Sequence, residues 1–241
     1  MPAVQIGLGG LQIDVIRKDV KHVHLSVLPP QGRVRITAPR QMSLDTIRVF
    51  AISKLAWIRQ QQRKLQAQPR EPLRDYLERE SHYVWGQRYL LEIVEKDAAP
   101  AVDLQHHTLV LQVRPGADEA RRQDVLDHWY RAQIRAKVPP FLARWEGLMG
   151  VKVDRYFVQR MKTQWGSCNP TARTIRLNTE LAKKPPECLE YIVLHEVAHL
   201  LEPSHNARFT SLLELHLPAW QQVKAELNRL PVRHESWRTG E

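Results

Sequence analysis

Early in the chain, apolar residues return at every second position. Val23, Leu25 and Val27 alternate with polar neighbours, and Val34, Ile36 and Ala38 repeat the pattern. PPQG (Pro29 to Gly32) lies between the two runs and is a turn signal, so the segment predicts a β-hairpin. From Ser43, a good helix N-cap, the apolar period lengthens. Ile47, Phe50, Ala51, Leu55 and Ile58 form one helical stripe. QAQPREP (Gln66 to Pro72) then breaks the pattern and reads as a linker.

Period two resumes in YLLEIVE (Tyr89 to Glu95) and TLVLQV (Thr108 to Val113), two further strands. Residues Glu119 to Leu148 predict a helix with Val125, Trp129 and Ile134 on one side. Pro139 and Pro140 are expected to interrupt or kink it, because proline lacks an amide donor and crowds the preceding turn. Val153 to Met161 and Thr174 to Asn178 predict two strands, joined by a loop that holds WGSCNPTAR (Trp165 to Arg173). KKPPE (Lys183 to Glu187) introduces a helix carrying Leu189, Ile192 and Val193. A last helix, from about Asn206 to Leu217, packs Phe209, Leu212 and Leu213 before Pro218 interrupts it. Short strands mixed with helices predict an α+β fold. Three regions are expected: a hairpin and helix over residues 1–70, strands and a helical connection completing the fold over 71–150, and a catalytic region over 151–241. No internal sequence repeat is visible.

Composition changes this picture little. Hydrophobic residues make up 43% and charged residues 26% of the 241, as in an ordinary globular protein. No apolar run approaches the roughly 20 residues that span a bilayer. The N-terminus lacks the plan of a secretory signal, so a cytoplasmic location is expected. The two cysteines, Cys168 and Cys188, are expected to be reduced thiols and are too few for a cysteine-rich zinc module. Any bound metal must rest on histidine. The net charge is +10, and residues 1–78 hold 13 basic and 6 acidic side chains. That excess admits nucleic acid or a phosphorylated substrate as a partner, against the plainer reading of a solvated basic surface. No nucleic-acid motif accompanies it.

The chemistry concentrates in HEVAHLLEPSH, residues 195–205. On a helix, positions four apart share a face, so His195 and His199 are placed to grip one ion. Glu196 projects about 100° around the helix from His195, outside that bite but close to a water held on the ion. Zinc with three protein ligands and an open position lowers the pKa of its water to about 7, and a neighbouring carboxylate can then take the proton. This is the H-E-x-x-H logic. His205 is the expected third ligand, provided the helix stops near Leu201 or Glu202 and the chain reverses. Pro203 favours that stop by pushing Glu202 out of the helical region. Glu202, Glu214 and His216 are the alternative donors. The ion expected is Zn²⁺, with another divalent transition metal as the alternative.

Cations flank the motif. Lys162, Arg173, Arg176 and Arg208 are candidates to hold a negative substrate group or an oxyanion, Arg208 foremost because it follows His205 by three residues. Trp165, Ser167 and Cys168 are expected to sit in a loop by the cleft. Glu187 and Glu190 suit the first turns of the metal helix.

The spacing of the histidines resembles that of metzincins, but Glu202 stands where those proteins carry glycine and no methionine follows Met161. RMKTQWGSC (Arg160 to Cys168), IRLNTEL (Ile175 to Leu181) and YIVLHEVAHLLEPSHNARF (Tyr191 to Phe209) together resemble the YgjP-like metallopeptidase domain. SKLAWIRQQQRKL (Ser53 to Leu65) is similar to the same family, and the resemblance covers roughly residues 15–230. It implies a zincin-like fold, with a small mixed sheet above the HExxH helix. It also implies one zinc ion on His195, His199 and His205, with Glu196 as base. The reading expected is therefore a zinc-dependent hydrolase in which Glu196 activates a zinc-bound water against a peptide-type carbonyl. A metal-dependent UTP pyrophosphatase at the same site, and a basic nucleic-acid-binding module with structural zinc, are the alternatives.

Overall fold

Gly9 and Gly10, with φ of 53° and 81°, reverse the chain between β1 (Val4–Leu8) and β2 (Leu11–Lys18), which pair antiparallel. The computed structural model describes residues 4–28, 32–67, 76–162 and 164–230. The chain divides into two compact units, one of residues 1–71 with 231–241 and one of residues 72–230.

In the first unit β3 (His24–Leu28) and β4 (Arg33–Pro39) form the expected hairpin. β4 also pairs parallel with β2, in a register that sets Ile13 beside Val34 and Val15 beside Ile36. The sheet order is β1-β2-β4-β3. The first two strands were not anticipated, although Ile13 and Val15 carry the same alternation. Ser43 caps α1 (Leu44–Ser53), its Oγ accepting from the Thr46 amide at 3.1 Å. The single helix expected here is two. Lys54 leaves the helical region (φ −106°, ψ 4°), and α2 (Leu55–Ala67) follows. Ile47, Ala51 and Ile58 of the predicted stripe are buried with the sheet residues in one core. The linker Gln66 to Pro72 lies mostly outside the described residues.

The second unit begins with β5 (Ser81–Val84), β6 (Gln87–Glu95), β7 (Ala101–Gln105) and β8 (Thr108–Val113), in the order β5-β6-β8-β7. Its pairings are antiparallel, parallel and antiparallel in turn, the connectivity of the first sheet strand for strand. The architectural repeat is echoed in the sequence only briefly, where IDVIRKD (Ile13 to Asp19) of the first sheet matches LEIVEKD (Leu91 to Asp97) of the second. α3 (Glu119–Met149) follows as a 31-residue spine. It runs uninterrupted through Pro139 and Pro140, which is a correction. Both prolines sit on the exposed face, where water can satisfy the carbonyls of Arg135 and Ala136 that lose their donors. The buried stripe is Leu126, Tyr130, Ile134, Val138, Leu142 and Trp145, one position on from the expected Val125 and Trp129.

The third sheet positions the site. β9 (Arg155–Gln159) pairs parallel with β11 (Thr174–Asn178), and β10 (Gly166–Asn169) pairs antiparallel with β11 from the other side. β10 lies inside the segment expected to be a loop. Gly, Ser, Cys and Asn have weak strand propensity, and pairing with the buried β11 overrides it. A 3-10 turn (Thr179–Lys183) then leads into α4 (Pro186–Ala198), α5 (Ala207–His216) and α6 (Trp220–Arg229). The turn between β5 and β6 holds this entry. The Trp85 amide donates to the Ala182 carbonyl at 2.8 Å and that of Gly86 to Lys183 at 3.3 Å. Gly86 (φ 82°) sits so close to Pro185 that a Cβ would stand 3.0 Å from its ring. The last helix expected is not the last, since α6 follows beyond Pro218. The α3 stripe, Ile175 and Leu177 of β11, and Leu189 and Val193 of α4 share one core. No helix of the described residues is long and apolar enough to cross a membrane. Both cysteines are free thiols.

One buried charge links three strands of the first unit. Asp14 on β2, only 4% exposed, accepts from Arg33 Nε at 2.6 Å and Gln5 Nε2 at 3.0 Å. Burial alone would raise its carboxyl. The hydrogen bonds from Arg33 and Gln5 and the charges of Arg33 and Arg35 outweigh it and hold the group below its usual 3.8. Asp14→Ala should therefore cost about 1–2 kcal/mol, Arg33 being half exposed and free to rehydrate. Amide hydrogen exchange in β2 and β4 reads this loss. Because the folded-state pKa is depressed, the contribution is full above the ordinary carboxyl range and disappears as pH falls through the folded value. Exchange rates of wild type and variant should converge there.

Candidate metal centre

α4 is a core helix, and that fixes its two histidines. Pro186 at its first position is pre-set for helix. Leu189, Ile192, Val193, Leu194, Val197 and Ala198 are all buried, so the helix has little freedom to rotate. His195 then shares one face with Tyr191 a turn before and His199 a turn after.

The helix ends at Ala198, with His199 as its C-cap (φ −65°, ψ −15°), a few residues earlier than Pro203 alone suggested. The amides of Leu201 and Glu202 both donate to the Ala198 carbonyl at 3.0 Å, which tightens the chain into a turn. The Glu202 carboxylate accepts from the Ser204 amide at 3.3 Å and the Ser204 hydroxyl at 2.9 Å. Asn206 caps α5, accepting from the Phe209 amide at 3.0 Å. Between these two local closures His205 swings back, and its Nε2 stands 3.0 Å from Nε2 of His195. One nitrogen from each of His195, His199 and His205 lies within 4.8 Å of the others. Phe209 forms the floor beneath them, its ring centroid 4.9, 4.6 and 4.8 Å from theirs in that order.

These rings suit a metal on three counts. Two nitrogens each 2.0–2.1 Å from one zinc in tetrahedral geometry stand roughly 3.3 Å apart, close to the spacing seen between His195 and His205. His199 Nδ1 lies 3.0 Å from the Glu202 carbonyl, which can only accept. Nδ1 therefore carries the proton and Nε2 keeps its lone pair, the usual outer-shell arrangement of a metal-binding imidazole. Burial, with His199, His205 and Lys224 adding to it, lowers His195 to about 3. Burial, His199 and Lys224 also lower His205. Both rings are thus neutral near pH 7, the form that binds metal.

Glu196 is 4% exposed, and burial pushes its carboxyl up to about 8. It faces β10. A Cβ on Gly166 would stand 2.5 Å from Glu196 Oε1 and 2.9 Å from its Cδ and Cγ. The histidines and Glu196 open into a cleft of about 470 Å³, lined also by Trp165, Ser167, Cys168, Tyr191, Lys224 and Asn228.

The other expected residues are elsewhere. Glu202 uses its carboxylate on Ser204, Glu214 is exposed on α5, and His216 sets its ring edge against Trp145 at 6.2 Å. Lys162 and Arg208 are exposed, and Arg176 lies over the Phe157 ring at 5.8 Å. None of these three cations lines the cleft. Arg173 reaches the Lys152 carbonyl at 2.9 Å, and Glu190 takes Arg144 at 2.8 Å. Burial, then the nearby Glu196, raises the Cys168 thiol to about 11, which removes it as a nucleophile. Four contributors were missed: Gly166, Tyr191, Phe209 as a floor, and the whole of α6. A signal for α6 existed, since Trp220, Lys224, Leu227 and Asn228 recur at helical spacing beyond Pro218.

Two solved structures resemble part of the chain. One is the metallopeptidase zymogen of Pyrococcus abyssi abylysin, 20% identical with a TM-score of 0.35 over 37% of this chain and 90% of its own. The other is that of Methanocaldococcus jannaschii jannalysin, 22% identical with a TM-score of 0.32 over 39% and 92%. No curated protein matches. The YgjP-like, metallopeptidase domain matches residues 21–230. That span takes in both four-stranded sheets in part or whole and all of the candidate centre. The chain therefore belongs to the YgjP-like metallopeptidase domain family, and is a metal-dependent hydrolase.

Proposed function

We propose that the protein hydrolyses peptide bonds at a single zinc ion held by His195, His199 and His205, with Glu196 as the general base. The observation that carries this reading is the convergence of three imidazole nitrogens within 4.8 Å beside a buried carboxyl in one cleft. Three imidazoles favour zinc or a similar transition metal over magnesium, which prefers oxygen donors. A divalent metal bound there supplies Lewis acidity toward a carbonyl and toward water.

The chain's own residues do the rest. Glu196 takes a proton from the attacking water on a carboxylate oxygen and returns it to the leaving amine. A group that burial has shifted toward neutrality is suited to both transfers. Phe209 locks the rings from below, and the Glu202 carbonyl orients His199. β10 is an outer strand of its sheet, and it runs along the cleft. Its open edge can add an extended peptide as one more strand, with main-chain hydrogen bonds that do not depend on sequence. The UTP alternative gains no such support. A triphosphate calls for several cations, and among the described residues one lysine and no arginine lines the cleft. The nucleic-acid alternative rests on net charge alone.

Glu196→Gln should keep about one metal ion per chain by elemental analysis and lower peptide hydrolysis by about 10²- to 10⁴-fold. Retained turnover would sink the mechanism, and pyrophosphate release from UTP by the same preparation would redirect the substrate. Gly166→Ala tests the fit of the base from the opposite side. Its methyl group must displace the Glu196 carboxyl, so turnover should fall at least about tenfold with metal content unchanged. Activity at the wild-type level would show that Glu196 does not act from the position it occupies.

A further inference from the structure

We propose that Lys224 is a specificity-determining residue: a cation on the cleft wall that, with Asn228, binds one carboxylate of the substrate close to the bond that is cut. The inference rests on the peptide reading above and names the class of peptide.

Among the described residues the cleft is otherwise without permanent positive charge. Among its lining residues Lys224 is the only lysine or arginine. Its position is not left to a free side chain. Nζ lies over the Trp220 ring at 5.4 Å, Trp220 stacks on Tyr191 at 6.4 Å with planes 16° apart, and Tyr191 meets the edge of His195 at 5.8 Å. A column of rings thus ties the ammonium group to the candidate metal ligands.

No carboxylate among the described residues answers that charge. Glu226, the nearest acid along α6, is turned to Arg229 with contacts of 2.8–3.0 Å. Glu202 is turned to Ser204. Asn228 follows Lys224 by one turn, lines the same wall and offers an amide N–H₂. A lysine beside an amide donor matches a single carboxylate, either the chain terminus or an Asp or Glu side chain. Lys224 is exposed at the rim, so it holds the substrate equally in the ground and transition states. Its effect belongs in KM and leaves kcat alone.

The test uses the full chain, metal-loaded, with Glu196→Gln so that binding is read without cleavage. Two peptide pairs serve as probes: one peptide as its free acid and as its C-terminal amide, and one with an internal Glu exchanged for Gln. Fluorescence anisotropy should show the carboxylate member of at least one pair binding about fivefold more tightly. The pair that discriminates identifies the source of the carboxylate. Lys224→Gln should erase the preference at unchanged metal content, and Lys224→Arg should keep most of it. Equal binding within both pairs, or a preference that survives Lys224→Gln, would overturn the proposal. Cleavage of a mixed peptide library by the metal-loaded wild type separates the two levels. A cut library with no carboxylate preference removes the role of Lys224 and leaves the peptidase reading. An uncut library with the preference intact does the reverse.

Discussion

The centre depends on one chain reversal. His195 and His199 are given by any helix that carries the motif, but His205 is given only if residues 200–204 turn within a few ångströms. Three local devices enforce the turn: paired amides on the Ala198 carbonyl, the Glu202–Ser204 clasp and the Asn206 cap. Phe209, the first buried residue of α5, is in place as soon as the cap forms, and all three imidazoles rest against it. The ring floor is what turns a local reversal into a fixed triangle of nitrogens. The same few residues therefore end one helix, start the next and shape the site.

Burial divides the labour within that triangle. α4 is packed on nearly every side, so His195, His199 and Glu196 are held by the core of the second unit. His205 is exposed and is held by its turn and by the Phe209 ring. Loosening the core would disturb two nitrogens and Glu196 together, at the cost of the fold. Loosening the turn would release the third nitrogen alone and leave the fold intact. The reach of His205 toward the other two rings is accordingly set by the local stability of residues 200–204, which can lie far below the global stability of a folded unit.

What could be read in the sequence follows from where each signal is written. The HExxH pair and Glu196 have fixed offsets on a helix, and Pro203 writes its own breaker, so the centre was visible before any fold. The Val23–Ala38 hairpin was equally plain because one face alternates cleanly. β10 was hidden, since Gly166, Ser167 and Cys168 form a strand only because β11 pairs with them. Continuous helix through Pro139 and Pro140 was hidden too, because only tertiary placement reveals that the carbonyls affected face water. The shared connectivity of the two four-stranded sheets left only the short likeness of IDVIRKD (Ile13 to Asp19) to LEIVEKD (Leu91 to Asp97), as pairing order is a property of long-range contacts and sequence periods are local. Charge misled in a different way. Lys162, Arg176 and Arg208 are near the motif in sequence, whereas Lys224, 19 residues beyond His205, is near it in space.

That last contrast bears on how the site meets its substrate. A cleft walled by imidazoles, aromatic rings and a strand edge would recognise main chain without regard to sequence, and binding of that kind alone would discriminate poorly. A cation fixed at one point of the wall adds the missing distinction, because a substrate without a counter-charge must leave the ammonium group desolvated and unpaired. The penalty scales with how far a bound chain excludes water from the rim. Longer peptides that cover Lys224 should therefore be judged more strictly than short ones that leave it wet. On the proposed reading β10 would supply reach, α4 and the 199–205 turn chemistry, and α6 choice.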